Sequence, residues 1–443
     1  MSDQPSVHEK ASQENENASR TSQDPTVSQA PQADEEKAPA PASSDIVIPD
    51  GGLQAWVSVL GGWLVSFCTF GFASSFGVFE DYYVTAGAST SSNISWIGSL
   101  QLFFLFFMGL PAGRLFDAGY FHHATAFGTV LYVFSLMMLS IADPKKYYQL
   151  ILAQGVSAGL GMGFLLVPAL SVQSHHWRRR RSLAMGICLT GSSTGGIIYP
   201  IMLNRLFHNG VGFAWGVRAA AFMTLGLLII ANFCLTTRLP SAKQRPKGSG
   251  PKPNIVAILT DPPYMVANVG AFLDFYLQLF ANAHKLSNTL AFYTIAILNA
   301  ASIIGRTIPN ATADRIGSFN TIIPVTVIIG ALVFVMFAAT TPGGLIVFAI
   351  IYGIFSGAFI SLLPPMLASF SRSPDEMGLR IGFGYCFSAL AMLTGTPIDG
   401  ALLGPEDHWA KPIIFSGVVM LAGAVFMIAA RRGLVARKGT WKV

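Results

Sequence analysis

The chain has 443 residues, of which 52% are hydrophobic and 11% charged, with 33 Phe. A soluble protein of this length needs far more charge on its surface, which excludes a soluble enzyme. Residues 1–48 hold nine acidic and three basic side chains, a net of −6 against +6 for the whole chain, so the remainder carries +12. No basic run is interleaved with stacking aromatics as single-strand binding requires, so the excess is read as loops beside a membrane, and nucleic acid is not an expected partner.

Residues 1–48 are rich in Ser, Gln, Glu, Pro and Ala and contain no aromatic residue. They cannot bury enough apolar surface to fold and are expected to be a disordered cytosolic tail. They lack an apolar core segment, so they do not read as a secretory signal peptide. Beyond them, the hydrocarbon core of a bilayer sets the scale, because one helical crossing needs about 20 apolar residues. Twelve segments qualify, at 53–79, 94–112, 124–142, 148–172, 182–203 and 213–237, then 264–281, 289–310, 319–340, 344–370, 379–400 and 411–430. The predicted fold is all-α: a six-helix bundle over 49–237, a basic Pro/Gly-rich linker over 238–260, a second six-helix bundle over 261–430 and a basic tail over 431–443. Lys and Arg set the orientation. With both termini in the cytosol, the inner side carries Arg114, Arg178 to Arg181, the linker bases, Arg315, Arg372, Arg380 and the tail, whereas the outer loops carry Lys145, Lys146, Lys285 and Lys411, with Arg205 and Arg218 at span ends.

Several positions within this layout carry chemistry. Before span 1, Asp50 can cap the helix start and Trp56 suits the headgroup interface. The turn after span 2, Gly109-Leu-Pro-Ala-Gly113-Arg114-Leu-Phe-Asp117-Ala-Gly119, returns after span 8 as Gly305-Arg306-Thr-Ile-Pro-Asn-Ala-Thr-Ala-Asp314-Arg315-Ile-Gly317. Gly lets helices approach closely there, and an acid at a helix end can pair with Arg or cap a neighbouring helix. Arg114, Asp117, Asp314 and Arg315 are therefore candidate latch residues, holding one conformation and releasing in another. In span 4, Gly155, Gly159 and Gly163 share a packing face. Span 5 holds Gly186, Gly191, Gly195, Gly196 and Pro200. Between these spans, His175-His176-Trp177-Arg178-Arg-Arg-Arg181 is read as a loop held to the anionic inner leaflet.

Span 7 is short, from Tyr264 to Ala281, and Asp274 lies near its middle. An ionised carboxylate there costs about 2.5–3.5 kcal/mol, so Asp274 is either an acid facing a polar cavity or a junction left by lost residues. Arg306, within apolar span 8, is costly unless it faces protein, water or a partner. Its fork suits a substrate carboxylate; the alternative is a side chain that snorkels to the interface or bonds the nearby loop. Cys68, Cys188, Cys234 and Cys386 sit in apolar segments and read as packing residues. No P-loop, nucleophile elbow or zinc signature is present, so no enzyme, cofactor or metal is expected.

The duplicated turn resembles the signature loop of the major facilitator superfamily, over about residues 50–435. Its first copy departs from the pattern, since Ala118 rather than a basic residue follows Asp117. Pro49-Asp50-Gly51-Gly52-Leu-Gln-Ala-Trp56 is similar to the string that opens span 1 in the monocarboxylate transporter family, in its fungal form. Ser75-Phe-Gly77-Val-Phe79 and Ala296-Ile-Leu-Asn299-Ala-Ala-Ser302-Ile-Ile-Gly305-Arg306 resemble that family too. The resemblance implies two bundles around a cavity, alternating access, and Arg306 on the substrate carboxylate. It also implies an acid one turn before Arg306, where this chain has Ser302, and a lysine in span 1, where it has Ser74. Simple proton–lactate symport is thus not expected, and Ser74, Asn299 and Ser302 become a hydrogen-bonding wall for a neutral or larger substrate. Relative to the family, span 7 also lacks residues before Phe275-Tyr-Leu-Gln-Leu-Phe280-Ala.

The function expected is that of a monomeric, proton-linked secondary carrier of a monocarboxylate or related metabolite in the plasma membrane. Its partners would be the lipid bilayer, the small-molecule substrate and co-transported protons. An exporter of a secondary metabolite, a vitamin carrier and a non-transporting nutrient sensor are the alternatives.

Overall fold

Long uncharged segments can satisfy their backbone polar groups in lipid only by folding as helices, and the chain does so throughout. The computed structural model describes residues 50–238, 255–275, 288–339, 341–372, 376–403 and 410–443. The first bundle comprises α1 (Leu53–Ala86), α2 (Ser91–Asp117), α3 (Phe121–Ile141), α4 (Tyr147–His175), α5 (Arg181–His208) and α6 (Gly212–Cys234). The second comprises α7 (Pro262–Phe275), α8 (Asn288–Ile316), α9 (Ser318–Ala338), α10 (Pro342–Ala368), α11 (Met377–Leu403) and α12 (Ala410–Lys438). Among the described residues, ten of these are long and apolar enough to cross a membrane; α7 and α8 hold the two remaining places in the order.

Some boundaries differ from those expected. Helix α1 continues past residue 79 to Ala86, through a π-helical turn at Phe67–Gly71 and a break at Ser74-Ser75. The Tyr132 hydroxyl donates to the Cys68 carbonyl at 2.8 Å, which supplies a partner where the widened turn disturbs the ladder. Helix α12 runs on to Lys438, so the segment after it begins at Gly439 and not at residue 431. Within the expected linker, Ile255–Leu259 is a short helix. The tail at 1–48, the central part of the linker and the residues following Phe275 in span 7 lie outside the described residues.

Outward faces are apolar, as lipid requires: Phe233 is 83% exposed and Val130 69%. The bundles meet along two seams, α2 against α11 and α5 against α8. Glycine sets the approach distance in both. A Cβ on Gly113 of α2 would collide with the Gly378 carbonyl of α11, and one on Gly186 of α5 with the Arg306 carbonyl of α8.

Candidate functional site

Asp117 ends α2, and its carboxylate crosses the seam to the first turn of α11. It accepts from the backbone N–H groups of Gly378 (3.0 Å) and Leu379 (2.7 Å). Asp314, in the last turn of α8, does the same in the opposite direction. It accepts from Ser182 N–H (2.8 Å) and Leu183 N–H (2.9 Å), in the first turn of α5. A carboxylate placed there meets both the unsatisfied donors and the positive end of the helix dipole. Each bundle therefore caps a helix of the other. Arg114 and Arg315 are exposed and make no hydrogen bond or ion pair among the described residues. The geometry explains why the incomplete first copy of the turn still matches the second: the part in use is the carboxylate, and the basic residue after it is not engaged.

The opening motif works differently from expectation. Asp50 does not cap its own helix, because the N-cap of α1 is Gly52, with no side-chain bond. Instead Asp50 Oδ1 accepts from the backbone N–H groups of Arg178 and Arg179, both at 2.6 Å. Asp50 takes φ 53°, and Gly51 and Gly52 take φ 149° and 97°, a path that swings the carboxylate away from α1 toward the α4–α5 turn. Trp56 meets Trp177 of that turn edge-to-face at 5.1 Å. A matching acid precedes α7: Asp261 Oδ2 bonds Arg380 (3.1 Å) and Arg437 (2.8 Å), and Glu376 adds a second ion pair to Arg380 (3.3 Å). Arg380, read from sequence as an inner-loop base, is 1% exposed and sits over the Tyr264 ring at 5.2 Å. Sequence reasoning missed this network, although Asp261, just before α7, parallels Asp50 before α1.

His175 and His176 are also not a lipid-facing loop; both are buried. His175 stacks on Phe116 of α2 at 5.0 Å and pairs through Nδ1 with the Thr237 hydroxyl (3.2 Å), while His176 Nε2 meets the Thr236 carbonyl (2.8 Å). Together they hold the chain that leaves α6. Burial pushes the His176 imidazole below its ordinary value, partly offset by the bond to Thr236.

Of the candidate substrate residues, the structure gathers three on one face of α8, where positions 299, 302 and 306 align. All face α5. Arg306 is 3% exposed, and its Nη1 donates to the Leu189 carbonyl (3.0 Å) and the Ser192 hydroxyl (2.8 Å). It neither snorkels nor bonds the nearby loop, because the short way out is closed by α5. No carboxylate pairs with it among the described residues, and its buried Nε has no partner there. Ser302 shares a hydrogen bond with Ser193 of α5 at 2.6 Å. Asn299 donates to the Ile295 carbonyl (3.1 Å) with its carboxamide against Gly196 of α5. Ser74 does not join them: its hydroxyl donates to the Phe70 carbonyl of its own helix (2.9 Å), at the break in α1. Asp274 is fully buried against Gly423 of α12, with neither oxygen partnered among the described residues. A guanidinium held in an apolar interior by neutral acceptors, with donor capacity unspent, is chemically suited to an anionic group.

The chain matches the family model described as Major Facilitator Superfamily over residues 62–342. It is 42% identical over 398 residues to the aspyridones efflux protein apdF of Emericella nidulans, covering 89% of this chain and 81% of that protein. It is 39% identical over 389 residues to the agnestins efflux protein AgnL12 of Paecilomyces divaricatus, covering 85% and 87%. Its fold is similar to that of the major facilitator superfamily transporter FucP in the outward conformation, with TM-score 0.63 at 15% identity, covering 85% of this chain and 99% of that one. These relatives carry efflux names, and the monocarboxylate-porter resemblance is not what they share by name. Two bundles that cap each other's helices, in a chain matched to this family over most of its length, leave one assignment: the chain belongs to the major facilitator superfamily and is a multi-pass membrane transporter of small molecules.

Proposed function

We propose that this transporter exports a secondary metabolite bearing an anionic group, and that Arg306 holds that group. The observation that carries the reading is a buried guanidinium at the α5–α8 seam that, among the described residues, bonds a carbonyl and a hydroxyl and no carboxylate. The efflux names of relatives at about the same length support export. The Asp50-Gly51-Gly52 opening and the Arg306 helix ally the chain with monocarboxylate porters, while Ser302 and Ser74 replace the acid and base of their proton pathway. A larger anionic metabolite fits that combination better than lactate does.

In this reading both termini are cytosolic, which the Lys/Arg distribution supports, and the host is the plasma membrane. Asp117 and Asp314 latch the cytosolic face shut, residues 1–48 and 238–260 are cytosolic tail and linker, and one monomer transports, driven by the proton gradient. Asn299 and Ser302 line the path beside Arg306, which exchanges Leu189 and Ser192 for the substrate when the seam parts. Inside-out vesicles with an imposed pH gradient, given labelled aromatic and aliphatic carboxylates, test this. Arg306→Ala should reduce uptake of an accepted anion roughly tenfold to hundredfold, the scale of one hydrogen bond to a charged group. Arg306→Lys should rescue little, because a point charge lacks the planar fork. Equal uptake by wild type and Arg306→Ala would remove Arg306 from the binding site.

A further inference from the structure

The two latch turns are duplicates in sequence, yet they are backed differently, and the second is backed by a segment with no assigned role. Helix α8 ends at Ile316, and Gly317 (φ 105°) turns the chain into α9. Gly317 is the N-cap of α9 and has no side chain with which to cap it. The Val443 carbonyl takes over that task, accepting from Phe319 N–H at 2.9 Å. Val443 is 3% exposed, and a Cβ on Gly317 would collide with its backbone. Asn320 joins three elements at this point. Its Nδ2 donates to the Ile316 carbonyl of α8 (2.6 Å) and the Trp441 carbonyl (2.8 Å), and its Oδ1 accepts from Arg431 Nε of α12. Asp314 lies three residues before Gly317, on the helical turn that this arrangement fixes.

We infer that residues 439–443 are a positioning segment for the Asp314 latch: docked against Gly317, Phe319 and Asn320, they hold the end of α8 so that its carboxylate meets the α5 amides. The inference rests on the reading of Asp314 as a latch. The first bundle supplies an independent parallel. There the chain leaving α6 binds His175 through Thr237, His175 stacks on Phe116, and Phe116 precedes the other latch carboxylate, Asp117. In both bundles the segment following the sixth helix buttresses the turn that carries the latch. The contacts differ in chemistry but serve the same position. The two segments, Thr236-Thr237 and Trp441-Lys442-Val443, share no residue.

Amide hydrogen exchange on the full-length protein in nanodiscs tests the inference, with Ser182 and Leu183 as reporters of the Asp314 latch and Gly378 and Leu379 as the internal control. Deleting residues 440–443 should speed exchange at Ser182 and Leu183 about fivefold, the ratio produced by losing a cap of ordinary strength, and leave Gly378 and Leu379 unchanged. Asn320→Ala, which cuts the bond to Trp441 together with those to Ile316 and Arg431, should act in the same direction, and deleting only Lys442 and Val443, which removes the Phe319 bond and keeps Asn320 intact, serves if the longer deletion fails to fold. Asp314→Ala is the third arm. If it accelerates Ser182 and Leu183 while the deletion and Asn320→Ala do not, the positioning role is wrong and the latch stands. If Asp314→Ala has no effect, the latch reading fails and takes this inference with it. Equal acceleration at both reporter pairs would mean general loosening and would also overturn the proposal.

Discussion

Replacing Asp314 with Ala removes two charge-assisted hydrogen bonds, at 2.8 and 2.9 Å, from the first turn of α5. Bonds of that type reach about 1.5–3 kcal/mol each when buried. Asp314 is only partly buried, and water can reach its partners once the face opens, so the net loss belongs nearer the scale of a helix cap, about 1–2 kcal/mol. That shifts the closed-to-open ratio roughly 5- to 30-fold, since about 1.4 kcal/mol is a factor of ten. Asp314→Asn keeps one acceptor oxygen and should lose about half as much. Asp117 is buried, so Asp117→Ala should lose at least as much as Asp314→Ala, and because the amides they cap lie on different helices, the double variant should add their effects. Spin labels at Arg114→Cys and Arg315→Cys give the assay. Both positions are exposed, flank the latches from opposite bundles and form no bonds among the described residues, so labels there report the opening of this face without disturbing it. Pulsed dipolar distances should show a longer-distance population growing from wild type to single to double variant. A distribution that stays the same in the folded double variant would refute the latch.

The α2–α11 seam should be intolerant of a single methyl. Gly113→Ala drives a Cβ into the Gly378 carbonyl and should cost about 1–3 kcal/mol of the closed state, read as the same growth of the long-distance population; Gly226→Ala, with open space around it, is the silent comparison. Asp274→Leu keeps the branching at Cγ and removes a buried carboxyl with no partner among the described residues, so thermal unfolding should shift upward, by about 1–3 kcal/mol of stability; a lower melting temperature would show that Asp274 has a partner in the intact protein. His176 binds a proton less readily when folded than when unfolded, because burial lowers its pKa. Its stabilising contribution is therefore complete above the unfolded value of about 6.5 and is lost as pH falls below that. The melting temperature should drop between pH 7 and pH 5 by more in wild type than in His176→Gln; parallel curves would dismiss the assignment.

The helices and their division into two bundles were legible because lipid leaves the backbone no alternative, and length and charge report that directly. The pairing of Asp117 and Asp314 was legible because the turn that carries them occurs twice at matched places. Asp50 was misjudged for a physical reason: a local cap is the default for an acid before a helix, and only the positive φ at Asp50 and the two glycines after it turn the carboxylate toward the α4–α5 turn. Arg306 could be ranked by cost but not by direction, because nothing in α8 states which neighbour its open face will meet. Arg380 and the two histidines looked like loop residues because the sequence counts charge along the chain, whereas their burial is decided by α7, α12 and the chain leaving α6, remote in sequence. The docking of Val443 had no signal beyond Gly317, a glycine that any turn could explain.

The two seams are alike in outline and unlike in chemistry, and the difference bears on coupling. Along α2–α11 the bundles meet through small residues and rings, with Phe106 and Tyr385 at 4.8 Å and Gly113 close against the Gly378 carbonyl. Parting that seam must undo this packing and the two bonds of Asp117. Along α5–α8, opening must also break the Ser193–Ser302 bond and both bonds of Arg306 Nη1. In an apolar interior those groups cannot be left bare, since each unsatisfied polar group costs more than its bond contributed. The α5–α8 seam therefore opens only when something polar arrives to replace α5. Water can do so weakly; an anionic substrate on Arg306 does so with charge. On the proposed reading, binding and opening are then one event: the ligand favours the open state by its affinity for a guanidinium that the closed state reserves for Leu189 and Ser192. A carrier arranged this way needs no separate sensor for an occupied site.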